Sequence, residues 1–370
     1  MRTRLVLAST LCLASSLAAQ GSTALYTRWF GLSGFEFQSY SFSGNPGVER
    51  ASQWSIPIVV VAPLGRHMSL DLTSHVAGTR ITGAADASFT GLTDTQLRLL
   101  YTLNRDRAVA SLALNLPTGK RSLSTSQFQV SSALGSNFLS FPVSNLGTAF
   151  GVTGGLAYAV RAGAWNFGFA GSARFAGSYR PFTDTSQNVF YNPGLEGRLR
   201  AGADRVIGER SRLLLGLTYS TFSTDEFSGT GTLAAGFYNP GSRFIGDLGY
   251  AYSWGRTTLA LTAWDYYRLG GRSAGGSDTK ENVFNIDLRL ARQLSQRVTL
   301  EPLVGFRQWS PADYRGGRLL TFGLNGRMSL SDRFSAITGA RIGPGWVYQP
   351  GVGRSDVTAT GVSVLIRYQR

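Results

Sequence analysis

The stretch RLLTFGLNGRMSL, residues 318–330, alternates between two kinds of side chain. One set of alternate positions is mostly apolar and the other is small or polar: Leu320, Phe322, Leu324, Met328 and Leu330 against Thr321, Gly323, Asn325, Arg327 and Ser329. A period of two residues predicts a β-strand with one apolar face. The same alternation occurs in 244–254 and 284–290. Segments of about eleven residues are long enough to cross a bilayer as tilted strands.

The connections between such segments are of two kinds. Short polar links, which are typical of hairpin turns, lie at 64–66, 104–107, 161–164, 207–210, 255–256, 294–297 and 331–333. Longer links rich in Gly, Ser, Pro and Asn alternate with them at 118–145, 180–193, 224–242, 270–281, 311–317 and 350–356. Alternating short turns and long loops are typical of outer-membrane barrels. The chain is therefore predicted to be an all-β, antiparallel, up-and-down transmembrane barrel of about 16 strands, within a range of about 12–16.

One region fits this prediction less well. The first strand pair, within 25–62, is the least regular, because its alternation slips phase around Gly31 to Gly34. A β-propeller is the other all-β fold to weigh, since the short turns recur at a nearly constant interval. A propeller blade packs four short strands into that interval, whereas here it holds two long ones. The pattern therefore favours the barrel.

Composition supports a membrane location. Only 15% of residues are Asp, Glu, Lys or Arg, against about 25% in soluble domains. No run of ~18 apolar residues follows the N-terminal segment, which excludes a helical membrane protein. The net charge is +15, but the arginines are spread over strand ends and turns. They fit contact with lipid phosphates at the membrane interfaces, so no nucleic-acid partner is expected.

The N-terminal segment predicts export. Arg2 and Arg4 precede an apolar run, and Ser16-Leu17-Ala18 supplies a small-x-small cleavage site. Residues 1–19 are thus predicted to be a signal peptide, and residues 20–370 the barrel. The last strand, 361–368, resembles the terminal signal for barrel insertion, although Gln369 and Arg370 follow its final tyrosine. We expect a bacterial outer-membrane location, with membrane lipid and the barrel-assembly machinery as partners, and the sequence leaves the oligomeric state open.

Two sequence features invite a chemical interpretation. Ser69, Asp71, Thr73 and His75 alternate along one predicted strand, but side chains two residues apart lie about 7 Å from each other, too far for a nucleophile and its base. The segment 117–122, PTGKRS, lacks the first glycine of a phosphate-binding loop. We therefore expect no enzyme activity, no cofactor and no metal site.

A third feature is a repeat. FYNPG at 190–194 recurs at 237–241. Because Pro followed by Gly suits the centre of a type II turn, we interpret the repeat as turn chemistry with aromatic residues at a membrane interface.

The segment Leu114–Lys120, LNLPTGK, carries a family resemblance. A strand that ends in Leu-Pro-Thr-Gly before a long loop resembles the outer-membrane barrels associated with the meta-pathway of phenol degradation. That resemblance implies transport across the outer membrane, with a hydrophobic or aromatic compound as a candidate solute.

If the apolar phase of each strand faces lipid, the other phase faces inward. Charges on the lipid side near mid-bilayer would cost roughly 2–4 kcal/mol each. The predicted lumen-lining residues are Asp71, Arg98, Arg174, Glu196, Arg198, Arg200, Asp204, Asp247, Asp287, Arg289, Glu301, Arg307, Arg327, Arg341 and Arg367.

This lumen predicts a passive, weakly anion-preferring channel for small solutes. Two alternatives stay open: a non-transporting structural or surface-binding barrel with a closed interior, and a lipid-active enzyme that would need His67 or His75. Whether Thr118 to Asn145 folds into the lumen bears most directly on this choice.

Overall fold

The computed structural model describes residues 28–370, except 45–46, 84–85, 104–106, 184–187, 231–235, 274, 278, 314 and 350–352. The predicted signal peptide, residues 1–19, lies outside the described residues, as does most of the predicted turn at 104–107. Among the described residues, no helix is long and apolar enough to span a membrane.

About three quarters of the described chain is β-strand. In order, the strands are β1 (Phe30–Ser43), β2 (Val48–Pro63), β3 (Met68–Gly83), β4 (Ala87–Leu92), β5 (Thr95–Leu103), β6 (Ala108–Leu116), β7 (Gly151–Ala162), β8 (Trp165–Ala176), β9 (Val189–Asn192), β10 (Glu196–Ile207), β11 (Ser211–Phe222), β12 (Asp225–Gly229), β13 (Phe237–Asn239), β14 (Arg243–Trp254), β15 (Thr257–Arg268), β16 (Arg272–Ser273), β17 (Gly276–Ser277), β18 (Glu281–Gln293), β19 (Val298–Pro311), β20 (Gly317–Ser329), β21 (Phe334–Gln349) and β22 (Gly353–Gln369). One helix, α1 (Thr125–Leu134), lies between β6 and β7.

The main sheet closes into a sixteen-strand antiparallel barrel. β22 pairs with β1 from Phe30 and Gln369 to Ser43 and Asp356, so the ring has no free edge there. β4 and β5 together occupy one strand position of the barrel, because both pair with β3. β5 pairs with the first half of β3, and β4 pairs with its second half. Closure matters in a bilayer, where an open edge would leave backbone groups without hydrogen-bond partners.

The first strand pair is regular. β1 keeps a single register with β2 and with β22, without the phase slip that the sequence suggests. Gly34 sits inside this pairing with a φ of 151°, and a Cβ there would collide with the backbone of Val364 and Leu365. A glycine at this point therefore permits close approach of the two strands and does not interrupt the strand.

Most predicted turns fall between paired strands, which defines a turn end of the barrel and, opposite to it, a loop end. The predicted loop at 350–356 is an exception, because β22 already begins at Gly353. Three of the longer loops contribute β9, β12, β13, β16 and β17 to a separate five-stranded sheet beyond the loop end.

The FYNPG repeat belongs to this outer sheet. Its aromatic residues lie in β9 and β13. Neither Gly194 nor Gly241 has a positive φ, so the predicted type II turn is wrong. A Cβ at Gly194 would collide with the Ser223 carbonyl, and one at Gly241 with the Leu269 carbonyl. The glycines thus permit close backbone approach where the sheet meets the barrel wall.

Candidate functional site

The long segment between β6 and β7, residues 117–150, is called the inward loop. Asp94, at the break between β4 and β5, holds both ends of it. Its carboxylate accepts hydrogen bonds from the Gly119 amide at 3.1 Å, the Thr148 amide at 2.7 Å and the Thr148 hydroxyl at 2.8 Å. The Asn115 side chain donates to the same carboxylate at 2.9 Å. One carboxylate therefore holds the two ends of the inward loop together, and we call this region the neck of the loop.

The LPTG segment forms this neck. Gly119 lies so close to the returning chain that a Cβ on it would collide with the Leu146 carbonyl. The segment lacks a complete phosphate-binding motif and has a structural role instead, because it turns the chain from β6 into the inward loop.

The middle of the loop packs against one half of the interior. Its helix α1 begins with a capping box, in which the Ser124 and Gln127 side chains bond each other's backbone amides. Buried loop side chains contact the interior faces of β20–β22 and β1–β4, which we call the covered wall. This cluster contains Val130, Leu134, Phe138, Leu139, Phe141, Val143 and Leu146 from the loop, and Tyr40, Phe42, Ala51, Ala77, Ile81, Ala87, Phe89, Leu319, Val347, Val357 and Ala359 from the wall.

Two polar side chains of the covered wall fix the loop backbone. Gln53 donates to the Val143 carbonyl at 2.8 Å and accepts from the Val143 amide at 2.9 Å. The Tyr40 hydroxyl donates to the Leu139 carbonyl. Both side chains are almost fully buried, so the loop satisfies polar groups that water does not reach.

The tip of the loop reaches the far side. Asn137 donates to Glu281 at 2.6 Å, and Arg307 donates to the Phe138 carbonyl at 2.9 Å. The Phe138 ring lies 6.0 Å from that of Trp309. Following the pairings round the ring, β19 is the eighth strand from β6, which is half-way round sixteen. The inward loop therefore crosses the interior of the barrel.

Strand register fixes which side chains share the interior face, because directly opposed residues on paired strands point the same way. Starting from Tyr40 and Gln53, the register places on this face every one of the fifteen side chains that the sequence singles out as inward. Many of them lie on the interior faces of the barrel strands β7, β8, β10, β11, β14, β15 and β18. We call these faces the open wall.

Most interior carboxylates are paired with arginine. The ion pairs join Arg98 to Asp71 at 2.5 Å, Arg174 to Glu196 at 3.8 Å, Arg198 to Glu196 at 2.6 Å, Arg200 to Asp247 at 2.8 Å, Arg212 to Asp204 at 3.0 Å, Arg268 to Glu281 at 3.5 Å and Arg289 to Asp287 at 3.8 Å. Glu196 serves two arginines, and Arg327, Arg341 and Arg367 form no ion pair with any described residue. Arginine thus exceeds carboxylate on the interior face.

The pair of Arg200 and Asp247 spans three strands. The two residues lie on β10 and β14, and the strand between them carries Gly216, where a Cβ would collide with Asp247. The guanidinium also donates to Thr218 at 2.7 Å. A glycine between the partners therefore lets them bridge over the intervening strand.

Three of the predicted lumen-lining arginines, Arg289, Arg307 and Arg327, lie on three adjacent strands but have different roles. Arg289 is near Asp287, whereas Arg307 binds the loop carbonyl of Phe138 and the Asn285 side chain. Arg327 lies close to the turn end of β20. Of these three arginines, Arg307 is the one that holds the loop.

The register also places on the interior face charged residues that sequence reasoning missed: Glu36, Arg212, Arg243, Arg268 and Glu281. Three of them are the first or last residue of a strand. Extending the two-residue alternation of each strand to its ends would have found these three.

The residues considered for catalysis do not meet. Ser69, Asp71, Thr73 and His75 alternate on the interior face of β3, but no hydrogen bond joins any two of these described side chains. Asp71 is bound to Arg98, and His67 lies 3.3 Å from the Thr102 hydroxyl. Among the described residues, no group of three His, Cys, Asp or Glu side chains could hold a metal ion.

Comparison with solved structures finds outer-membrane barrels. A bacterial polysaccharide outer membrane secretin is 11% identical, with 93% of this chain and 98% of that chain covered and a TM-score of 0.46. An anion-selective porin from Comamonas acidovorans is 14% identical, with coverage of 92% and 98% and a TM-score of 0.44. The CymD monoaromatic hydrocarbon channel is 9% identical, with coverage of 96% and 92% and a TM-score of 0.46. No protein-family model matches the chain, and no curated protein matches it.

Proposed function

We propose that this protein is a passive channel of the bacterial outer membrane, in which small solutes diffuse between the inward loop and the open wall. The observation that carries the proposal is the path of the loop, which crosses the lumen and packs on the covered wall. A barrel of about sixteen strands is wide enough to hold water. A loop fixed to one half of its interior narrows such a lumen and leaves the other half facing solvent.

The charges of this site favour anions. The inward loop, residues 117–150, contains no Asp or Glu, and its basic residues are Lys120 and Arg121. Among the described residues, the arginines of the open wall form their ion pairs with carboxylates of the wall itself. Fixed charges that line a constriction attract ions of opposite sign, so a weak preference for anions follows.

The solute class follows from what the loop presents to the lumen. Most bulky apolar side chains of the loop are buried against the covered wall, with Phe128 as a half-exposed exception beside Phe182, and the charged side chains of Lys120 and Arg121 are exposed. This arrangement favours small polar solutes over the hydrophobic or aromatic ones that the LPTG resemblance implies. That resemblance stays a prediction.

Conductance in planar bilayers tests the proposal. We expect discrete openings from the full chain and a larger conductance from a variant in which residues 125–145 are replaced by a short Gly-Ser link, because the constriction is removed. Heat-modifiable migration in detergent gels checks that both barrels are folded. Equal conductance would place the permeation path elsewhere, and the absence of conductance from both would favour a non-transporting barrel.

A further inference from the structure

The outer wall of the barrel carries an open apolar groove of about 580 Å³ between β8 and β18. The register places most of its lining residues on the face opposite to the lumen-lining side chains. Small residues form its floor and bulky ones its sides: Ala201, Ala203, Gly246 and Ala263, with Phe169 and Leu217. We call this feature the outer-wall groove.

A cation lies at one end of the groove. Arg205 is on the same outward face of β10 as Ala203, two residues nearer the turn end. Its guanidinium carbon lies 5.5 Å from the centre of the Trp165 ring. The Nε atom is buried and has no hydrogen-bond partner among the described residues, and Arg205 forms no ion pair with any of them. Arginine beside tryptophan is typical of the interface between lipid tails and head groups.

The opposite end of the groove is also polar. Asp265 lies there on β15, and Asn282 donates a hydrogen bond to it at 2.7 Å. The apolar floor is thus bounded by Arg205 towards the turns and by a carboxylate towards the loops. From Arg205 to Ala201 the strand covers four residues, or about 13 Å at ~3.3 Å per residue.

We propose that Arg205 and the outer-wall groove bind one phospholipid, with its phosphate on the guanidinium and an acyl chain along Ala203 and Ala201. The inference rests on the membrane location proposed above, but not on ion conduction. The terminal Nη groups of Arg205 form no hydrogen bond with a described residue, and a phosphate diester supplies acceptors for them; charge-assisted bonds from arginine to phosphate are among the strong ones. A second copy of the barrel would instead press this cation against an apolar outer wall.

Native mass spectrometry of the full chain in detergent, titrated with phosphatidylglycerol, tests the site. The variant Arg205→Gln removes the cation, and Ala203→Phe fills the groove without changing charge. Arg292→Gln is the matched control, because Arg292 is also an outward arginine near the turn end but lies on β18, away from the groove floor. We expect each of the first two variants to weaken binding of the first lipid about tenfold, the equivalent of one charge-assisted hydrogen bond. The control should bind as the parent does.

Glycerophosphate, the head group without chains, should bind far more weakly than the intact lipid. Equal lipid binding by all three variants would overturn the proposal. So would a lipid-free dimer or trimer that Ala203→Phe abolishes, because the groove would then hold a second copy. Heat-modifiable migration and conductance of the same variants show whether the barrel is intact. A folded, lipid-binding but non-conducting barrel would contradict the proposed channel and leave the lipid site standing.

Discussion

The covered wall and the open wall enclose one lumen but are built from different side chains. On the covered wall, Tyr40, Phe42 and Val357 bury apolar surface against the inward loop. On the open wall, Arg198 and Arg200 occupy equivalent interior positions and are paired with carboxylates. Both walls follow the same two-residue alternation, so the difference lies in what each half faces, a packed loop or solvent. The position of the loop and the interior side chains of the barrel together divide the interior into two chemical environments.

The neck of the loop is where this division is most easily broken. Asp94→Ala removes the acceptor of four hydrogen bonds, three of them from the two ends of the loop, and we expect the free energy of loop opening to fall by about 3 kcal/mol. Trypsin cleavage after Lys120 and Arg121 measures that opening. Asp332→Ala, in a turn at the other end of the barrel, is the control. Cleavage at the parent rate would show that the neck does not depend on Asp94.

Contact between the middle of the loop and the covered wall gives a smaller effect. Gln53→Leu leaves the amide and carbonyl of Val143 without partners, at a cost of about 2 kcal/mol. Hydrogen exchange at the Val143 amide should rise accordingly. Gln96→Leu replaces another interior glutamine, on β5, whose side chain forms no hydrogen bond with any described loop residue. If both variants exchange equally, Gln53 does not hold the loop to the wall.

The outer sheet, which lies beyond the loop end of the barrel, should give the smallest effect. Burial, together with the Tyr191 hydrogen bond to Asp225 and the charge of that carboxylate, raises the pKa of Tyr191 above its ordinary value. A raised pKa means that the folded sheet holds the neutral phenol. Its stabilisation is complete below the ordinary tyrosine pKa of about 10 and is lost as pH rises through the folded value.

Hydrogen exchange in β9 and β12 should therefore increase above about pH 10 in the parent. In Tyr191→Phe, the free energy of opening of these strands should be lower by about 1 kcal/mol already at neutral pH, so exchange should be faster. Exchange in this variant should also depend less on alkaline pH. If exchange in the parent, corrected for intrinsic rates, does not change with this rise in pH, Tyr191 does not stabilise the outer sheet in the way proposed.

The comparison of the two walls explains what the sequence could predict. Over β18–β20, apolar outward residues such as Phe322 alternate with polar inward ones such as Arg327, and strand positions and faces follow directly. On β1, outward Phe35 and Phe37 alternate with inward Tyr40 and Phe42, so both faces are apolar and the alternation is blurred. The loop that covers the inward face comes from a distant part of the chain, and its position is not encoded in the pattern of β1.

The same limit applies to the site. The two-residue period predicts that Arg198 and Asp247 lie on the interior face, since that property depends only on neighbours in sequence. It does not give the partners: Arg307 binds the Phe138 carbonyl, which is 169 positions away in the chain. Nor does it reveal that Gly216 makes room for the pair of Arg200 and Asp247, because that collision involves three strands. The side of the sheet on which a side chain lies depends on local sequence, whereas the residues that it contacts depend on how the barrel closes.

The reversal potential across a salt gradient tests the central claim, that the arginines of the open wall line the permeation path. The variant Arg174→Gln/Arg198→Gln removes two exposed guanidiniums beside Glu196. The control Arg297→Gln/Arg333→Gln removes the same charge from two turns outside the lumen. We expect weak anion preference in the parent and the control, and a shift towards cations in the open-wall variant alone. A shift of equal size in both, or no shift with conductance intact, would contradict it.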